Sequence, residues 1–152
     1  MIKKFKIFIM CVCVLLSVVG CASKTSKSMS YTYSVETGDK IEITLDTSDE
    51  YELTSKLPFS ILHDGETLSQ GKFITAESYS EYEAVVNSDE KAKLIDSGDK
   101  DGNKYLFWSY NGSEYNYAVL IADSNTAVLI GNLVSEESAK ECFERIDISK
   151  GK

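Results

Sequence analysis

The chain has 152 residues, 43% of them apolar and 26% charged, the balance of a globular protein rather than a disordered one. Its formal charge is −8; the first 20 residues bring Lys3, Lys4 and Lys6 and no acid, so residues 21–152 carry −11. That balance argues against nucleic acid as a partner, since phosphate binding needs clustered lysine and arginine, and against a basic patch gripping anionic headgroups.

Residues 1–6 are positively charged, and residues 7–19 form an apolar run of about thirteen. A spanning helix needs about twenty apolar residues, so this run fits a secretory signal instead. It closes on Val18, Val19, Gly20 and Cys21. This stretch resembles the lipobox of bacterial lipoproteins. The resemblance implies cleavage before Cys21 and lipid attachment at Cys21, with two or three acyl chains holding where one is marginal. The organisation expected is a signal peptide over 1–20, a small, polar, flexible tether over 21–30, and one globular domain over 31–152. The expected location is the extracytoplasmic face of the cell membrane. Of four cysteines, Cys11 and Cys13 leave with the leader and Cys21 takes lipid. Cys142 then has no partner for an intramolecular disulfide.

Residues 31–36 alternate Tyr31, Tyr33 and Val35 against polar positions, and residues 40–46 alternate Ile41, Ile43 and Leu45. Period two predicts a strand for each, paired as a hairpin across 37–39. Residues 46–50 form an acidic loop, and 51–57 fit either strand or loop. Pro58 opens a strand over 59–63, and Asp64-Gly65 turns it into a partner over 67–75. Gly71 inside that partner signals a bulge or a close approach. Residues 76–87 carry Tyr79, Tyr82 and Val86 at helical spacing, with either Ser78 in a capping box or Thr75 as the cap. A short strand over 92–97 and a turn over 98–103 follow. Strands over 104–110, 115–122 and 126–134 then form an antiparallel meander, and a helix over 136–146 places Ala139, Cys142, Phe143 and Ile146 on one stripe behind Ser135 as N-cap. Residues 146–149 add a last extended piece.

The meander strands are apolar on both faces. Leu106, Trp108 and Tyr110 oppose Tyr105 and Phe107; Tyr117, Val119 and Ile121 oppose Ala118 and Leu120; Val128 and Ile130 oppose Ala127, Leu129 and Leu133. Such strands are covered on both sides, and two helices are at hand to cover them. The expected fold class is α+β: an antiparallel sheet with one helix on each face, a three-layer α-β-α sandwich. The Pro58-Phe59 strand start, the helix near Tyr79, the meander and the helix ending Phe143-Glu144-Arg145-Ile146 resemble the domain family shared by PsbP of photosystem II and the Ran-binding protein Mog1. The chain is similar as well to small lipoproteins of Gram-positive gut bacteria. Neither resemblance implies a catalytic residue or a cofactor.

No residue cluster specifies a reaction. Cys142 lies on the apolar stripe of its helix and reads as a buried structural thiol. His63, the single histidine, sits beside Asp64-Gly65 and reads as a surface residue. Asp96, Asp99, Asp101 and Asn103 around Gly102 miss the spacing of a calcium loop, as does the loop of Asp46, Asp49 and Glu50. No cofactor and no metal are expected. Tyr110 and Tyr115 flank one hairpin, either as an interaction surface or as a cross-strand pair, with Trp108 and Tyr117 in the core. The functional expectation is a non-enzymatic, lipid-anchored extracytoplasmic domain that binds another protein at the envelope. The alternatives are an immunity-type lipoprotein intercepting a cationic peptide toxin and a hydrolase of wall polymer.

Overall fold

A computed structural model describes residues 27–152. The leader and Cys21 lie outside the described residues. The elements are β1 (Ser28–Ser34), β2 (Lys40–Asp46), a 3-10 turn (Ser48–Glu50), β3 (Tyr51–Leu53), β4 (Phe59–His63), β5 (Glu66–Thr75), α1 (Ala76–Ser88), β6 (Ala92–Lys100), β7 (Asn103–Tyr110), β8 (Glu114–Leu120), β9 (Thr126–Asn132), α2 (Glu136–Arg145) and β10 (Ile146–Lys150). The class of the described residues is α+β, dominated by antiparallel strands, with two α-helices among them.

The strands form two sheets where the sequence led us to expect one. A seven-stranded sheet runs β3-β4-β5-β9-β8-β7-β6, and a three-stranded sheet runs β1-β2-β10. The difference comes from the chain's last strand. Ile146 and Ile148 continue the apolar stripe of α2, and they pair with Leu45 and Ile43 of β2 rather than with the meander. The N-terminal hairpin thereby becomes a separate sheet whose apolar residues face the larger one.

Alternate residues of the meander strands enter two clusters. Phe107, Tyr117, Val119, Val128 and Ile130 pack with Ile41, Ile43 and Leu45 of the small sheet and with Ala139, Cys142 and Phe143 of α2. Leu106, Trp108, Ala118 and Ala127 pack with Tyr79 and Val86 of α1. The first set is therefore covered by a sheet as well as a helix. Tyr117 sits between the Phe107 and Phe143 rings, with centroids at 4.1 and 4.0 Å, and its burial raises its phenol pKa.

Element boundaries moved where side-chain hydrogen bonds intervene. Strand β1 begins at Ser28 rather than residue 31, because Met29 continues the phase of Tyr31 and Tyr33 and pairs with Leu45. The tether expected over 21–30 is thus shortened at its end. Residues 98–100 pair with β7, leaving only Asp101 and Gly102 in the turn, both with positive φ. That two-residue loop matches the twist of its strands. Strand β9 stops at Asn132, whose Oδ1 accepts from the amides of Val134 and Ser135 at 2.8 and 3.2 Å. Leu133, expected in the core, is 78% exposed as a result. Thr75, not Ser78, caps α1 by accepting from the Ser78 amide at 3.0 Å, and Ser135 caps α2 as expected.

Gly71 is a close approach. A Cβ there would stand 2.1 Å from Cζ of Phe59, a fully buried ring. The β-bulge in that hairpin lies elsewhere, between Ile61 and Leu62. Gly71→Ala should therefore destabilise the protein by about 1–3 kcal/mol, the usual cost of overpacking a filled core. Urea denaturation measures this, and an unchanged midpoint would show that the ring has room to move.

Candidate binding groove

Hydrogen-bond alternation decides which backbone groups of the small sheet are free. In an antiparallel ladder every second residue bonds its partner, and the residues between point N–H and C=O the other way. The amide of Val35 donates to Asp39 O and that of Thr47 to Lys27 O. Met29, Tyr31 and Tyr33 therefore bond β2, while Ser28, Ser30, Thr32 and Ser34 aim their backbone groups off the sheet edge. By the same rule, the amide of Thr54 donates to Ser60 O and that of Asp64 to Glu50 O. Tyr51 and Leu53 of edge strand β3 thus turn their backbone groups away from β4.

Two grooves open along β1. The first, of about 670 Å³, is lined by Met29, Tyr31, Glu50, Tyr51, Glu52, Leu53 and Asp64, among others. The second, about 430 Å³, is lined by Val35, Glu36, Leu57, Lys72, Phe73 and Ile74. Tyr33 lies between them along β1, its hydroxyl donating to Thr54 O at 3.3 Å. Both volumes fall in the range of ligand sites.

The rim of the first groove is built on strained backbone. Asp49, Glu50 and Asp64 all have positive φ, at 57°, 64° and 51°, a conformation non-glycine residues adopt at a cost. Arg145, at the end of α2, holds this loop. Its guanidinium donates to Asp49 Oδ2 at 2.8 Å and to Ser48 O at 3.1 Å, and lies 4.0 Å over the Tyr51 ring. On the Tyr51 side of the hairpin, His63 stacks at 4.5 Å. Burial, then the Glu141 carboxylate, pushes the Tyr51 phenol up to about 12. Arg145 and Tyr51 thus clamp Ser48–Glu50, and the Asp64 amide donates to Glu50 O at 3.3 Å, which sets both acidic residues on one rim. Hydrogen bonding and like charge from Asp64 raise the Glu50 pKa.

The residues singled out from sequence fall elsewhere. Tyr110 pairs with Glu114 and Tyr115 with Ser109, so the two tyrosines project to opposite faces. They form no cross-strand pair. Trp108 and Tyr117 are buried. Cys142 is a buried free thiol whose pKa burial raises. His63 stands 3.8 Å from Asp64 Oδ2 at the surface. Around Gly102, Asn103 is buried and committed, donating to Ile148 O at 2.7 Å and accepting from the Ala122 amide at 2.9 Å. Asp96 accepts from the Tyr105 hydroxyl and Asp99 from the Gly102 amide. Among the described residues, no group of three or more histidine, cysteine or acidic residues is placed to hold a metal ion. The groove was missed in the sequence because its two walls, 28–34 and 50–65, meet only through the packing of one sheet on the other. The Asp49-Glu50 and Asp64-Gly65 turns are the local signal that pointed there.

No protein-family model, no curated protein and no solved structure matches this chain.

Glu50 sets the pH behaviour of this rim. Its folded pKa lies above the unfolded glutamate value of about 4.3. Its contribution to stability is therefore present below that value and is lost as pH rises through the folded pKa. Glu50→Gln should raise the melting temperature at pH 7 and leave it unchanged near pH 3, as followed by circular dichroism. A lower melting temperature at pH 7 would contradict the carboxyl pairing.

Proposed function

We propose that this protein is a lipid-anchored, non-enzymatic binding domain on the extracytoplasmic face of a bacterial membrane. The observation that carries the reading is the basic, apolar leader closing on Gly20-Cys21. Strand β1 starts seven residues after Cys21, and seven extended residues reach at most about 25 Å. A groove that includes Met29 and Tyr31 of β1 would then work close to the membrane surface. We propose further that each face of the seven-stranded sheet carries one helix, as the PsbP/Mog1 resemblance implies. The alternate packing of α1 and α2 against Leu106 and Phe107 supports this.

Interception of a cationic peptide is the second reading, favoured by the −11 charge of residues 21–152 and by the acidic rim of the groove. Hydrolysis of wall polymer is supported least. Glu50 and Asp64 share the rim of the first groove, and hydrogen bonding and like charge from Asp64 raise the Glu50 pKa, which is the feature in its favour.

Cys21→Ser tests the anchor. The variant should accumulate as uncut precursor or appear in the soluble fraction, where the wild-type protein sediments with membranes and incorporates labelled palmitate. Normal membrane retention and labelling of the variant would overturn the reading.

A further inference from the structure

Among the described residues the two sheets have four strand edges, and three of them differ from β1 in how they are protected. Strand β6 carries a bulge between Leu94 and Asp96 and the charges of Lys93, Asp96 and Asp99. Bulges and charges are the usual guards of an edge. Strand β10 is capped by side chains. Its outward carbonyls at Ile146 and Ile148 accept from Lys100 Nζ at 2.5 Å and from Asn103 Nδ2 at 2.7 Å. Strand β3 is only three residues long. Strand β1 has seven residues, no bulge against β2, and neither proline, lysine nor any other charge. Among the described residues, it keeps four residues whose outward backbone groups are unpaired, beside an open groove.

We propose that this edge takes an extended, basic peptide segment as an added strand, with its alternate side chains in the groove. The inference rests on the reading of the protein as a binding domain and names its partner's chemistry. Backbone groups of Ser28, Ser30, Thr32 and Ser34 supply the ladder, as edge strands do in β-augmentation. Charge selects the occupant. Glu50, Glu52 and Asp64 line the first groove, where no lysine or arginine stands, while the second carries Glu36 and Lys72. Met29, 40% exposed, and half-buried Tyr31 give apolar contact beside the carboxylates. Side chains of a strand alternate between its two faces, so every second residue of the segment enters the groove, and a basic residue at each of those positions meets the carboxylates while the residues between face away. Seven residues of β1 span about 23 Å, the length of a seven- or eight-residue segment.

The test uses the full-length protein in non-ionic detergent micelles. The probe is a fluorescein-labelled, end-capped peptide of four lysine–valine repeats, with four glutamate–valine repeats as the comparison, read by fluorescence anisotropy. The lysine–valine peptide should bind at least tenfold more tightly, and its affinity should fall with added salt. Ser30→Pro removes one outward N–H at an edge position where proline is tolerated, and should weaken binding at least fivefold. A second variant, Glu50→Gln with Glu52→Gln and Asp64→Asn, leaves the backbone alone and should abolish the preference between the peptides. Equal binding of the two peptides by the wild-type protein would overturn the inference, as would wild-type affinity in both variants. Absence of peptide binding by a protein that Cys21 still anchors removes this inference and leaves the anchored-domain reading standing. Retention of Cys21→Ser on membranes removes that reading whatever the peptide does.

Discussion

A strand edge has backbone donors and acceptors that must find partners, and the way this fold meets that demand at the two sides of its small sheet organises the molecule. Strand β2 is bonded on both sides, to β1 by its odd-numbered residues and to β10 by the even ones, as the Gly151 amide donating to Lys40 O shows. At β10 the outward carbonyls are met by Lys100 and Asn103, and Lys150 Nζ donates to Asp123 O at 2.8 Å. The two sheets are sewn together there. Lys100 also donates to Phe143 O at 2.6 Å, so one ammonium group finishes α2 and seals the seam. Burial lowers its pKa, while Asp147 at 3.9 Å acts in the opposite direction.

Among the described residues, the opposite seam has no such stitching along β1. Tyr33 reaches Thr54, and the rest of the edge runs beside the two grooves. Arg145 stabilises the far wall by holding a loop with two successive left-handed residues, yet it is the last residue of α2, and β10 follows directly. The C-terminal segment thus serves both seams. It closes one through Ile146 and Ile148 and shapes the other through Arg145. Asp39 adds a tie at the end of the hairpin. It accepts from Thr126 Oγ1 at 2.8 Å and from the Asn125 amide at 2.9 Å, and these bonds together with Lys150 hold its carboxyl below the ordinary range.

Local pattern carried most of the elements. Period two in 40–46 and in the meander, the Asp64-Gly65 turn, the Ser135 cap and the stripe from Ala139 to Phe143 are short-range facts, and each has its counterpart in the structure. What failed was long-range. Nothing near Ile146 or Ile148 says that they pair with Leu45 and Ile43, a hundred residues earlier, so the second sheet was invisible. The same gap hid the groove, since neither wall has meaning without the other. Tyr110 and Tyr115 failed for a different reason. Two aromatic residues flanking a turn suggest a pair, but the three-residue loop sets Tyr110 against Glu114, and a one-residue shift puts the rings on opposite faces. Asn103 falls in a predicted turn and Asn132 inside a predicted strand, and each proves to be a buried hydrogen-bond hub.

The central claim is that one seam is sealed and the other is open. Residue-resolved amide hydrogen exchange on the free protein measures it directly. Within β1, the amides of Met29, Tyr31 and Tyr33 should be protected, while those of Ser30, Thr32 and Ser34 should exchange orders of magnitude faster, in strict alternation. Uniform slow exchange along β1 would show that its edge is already covered, and would contradict the account.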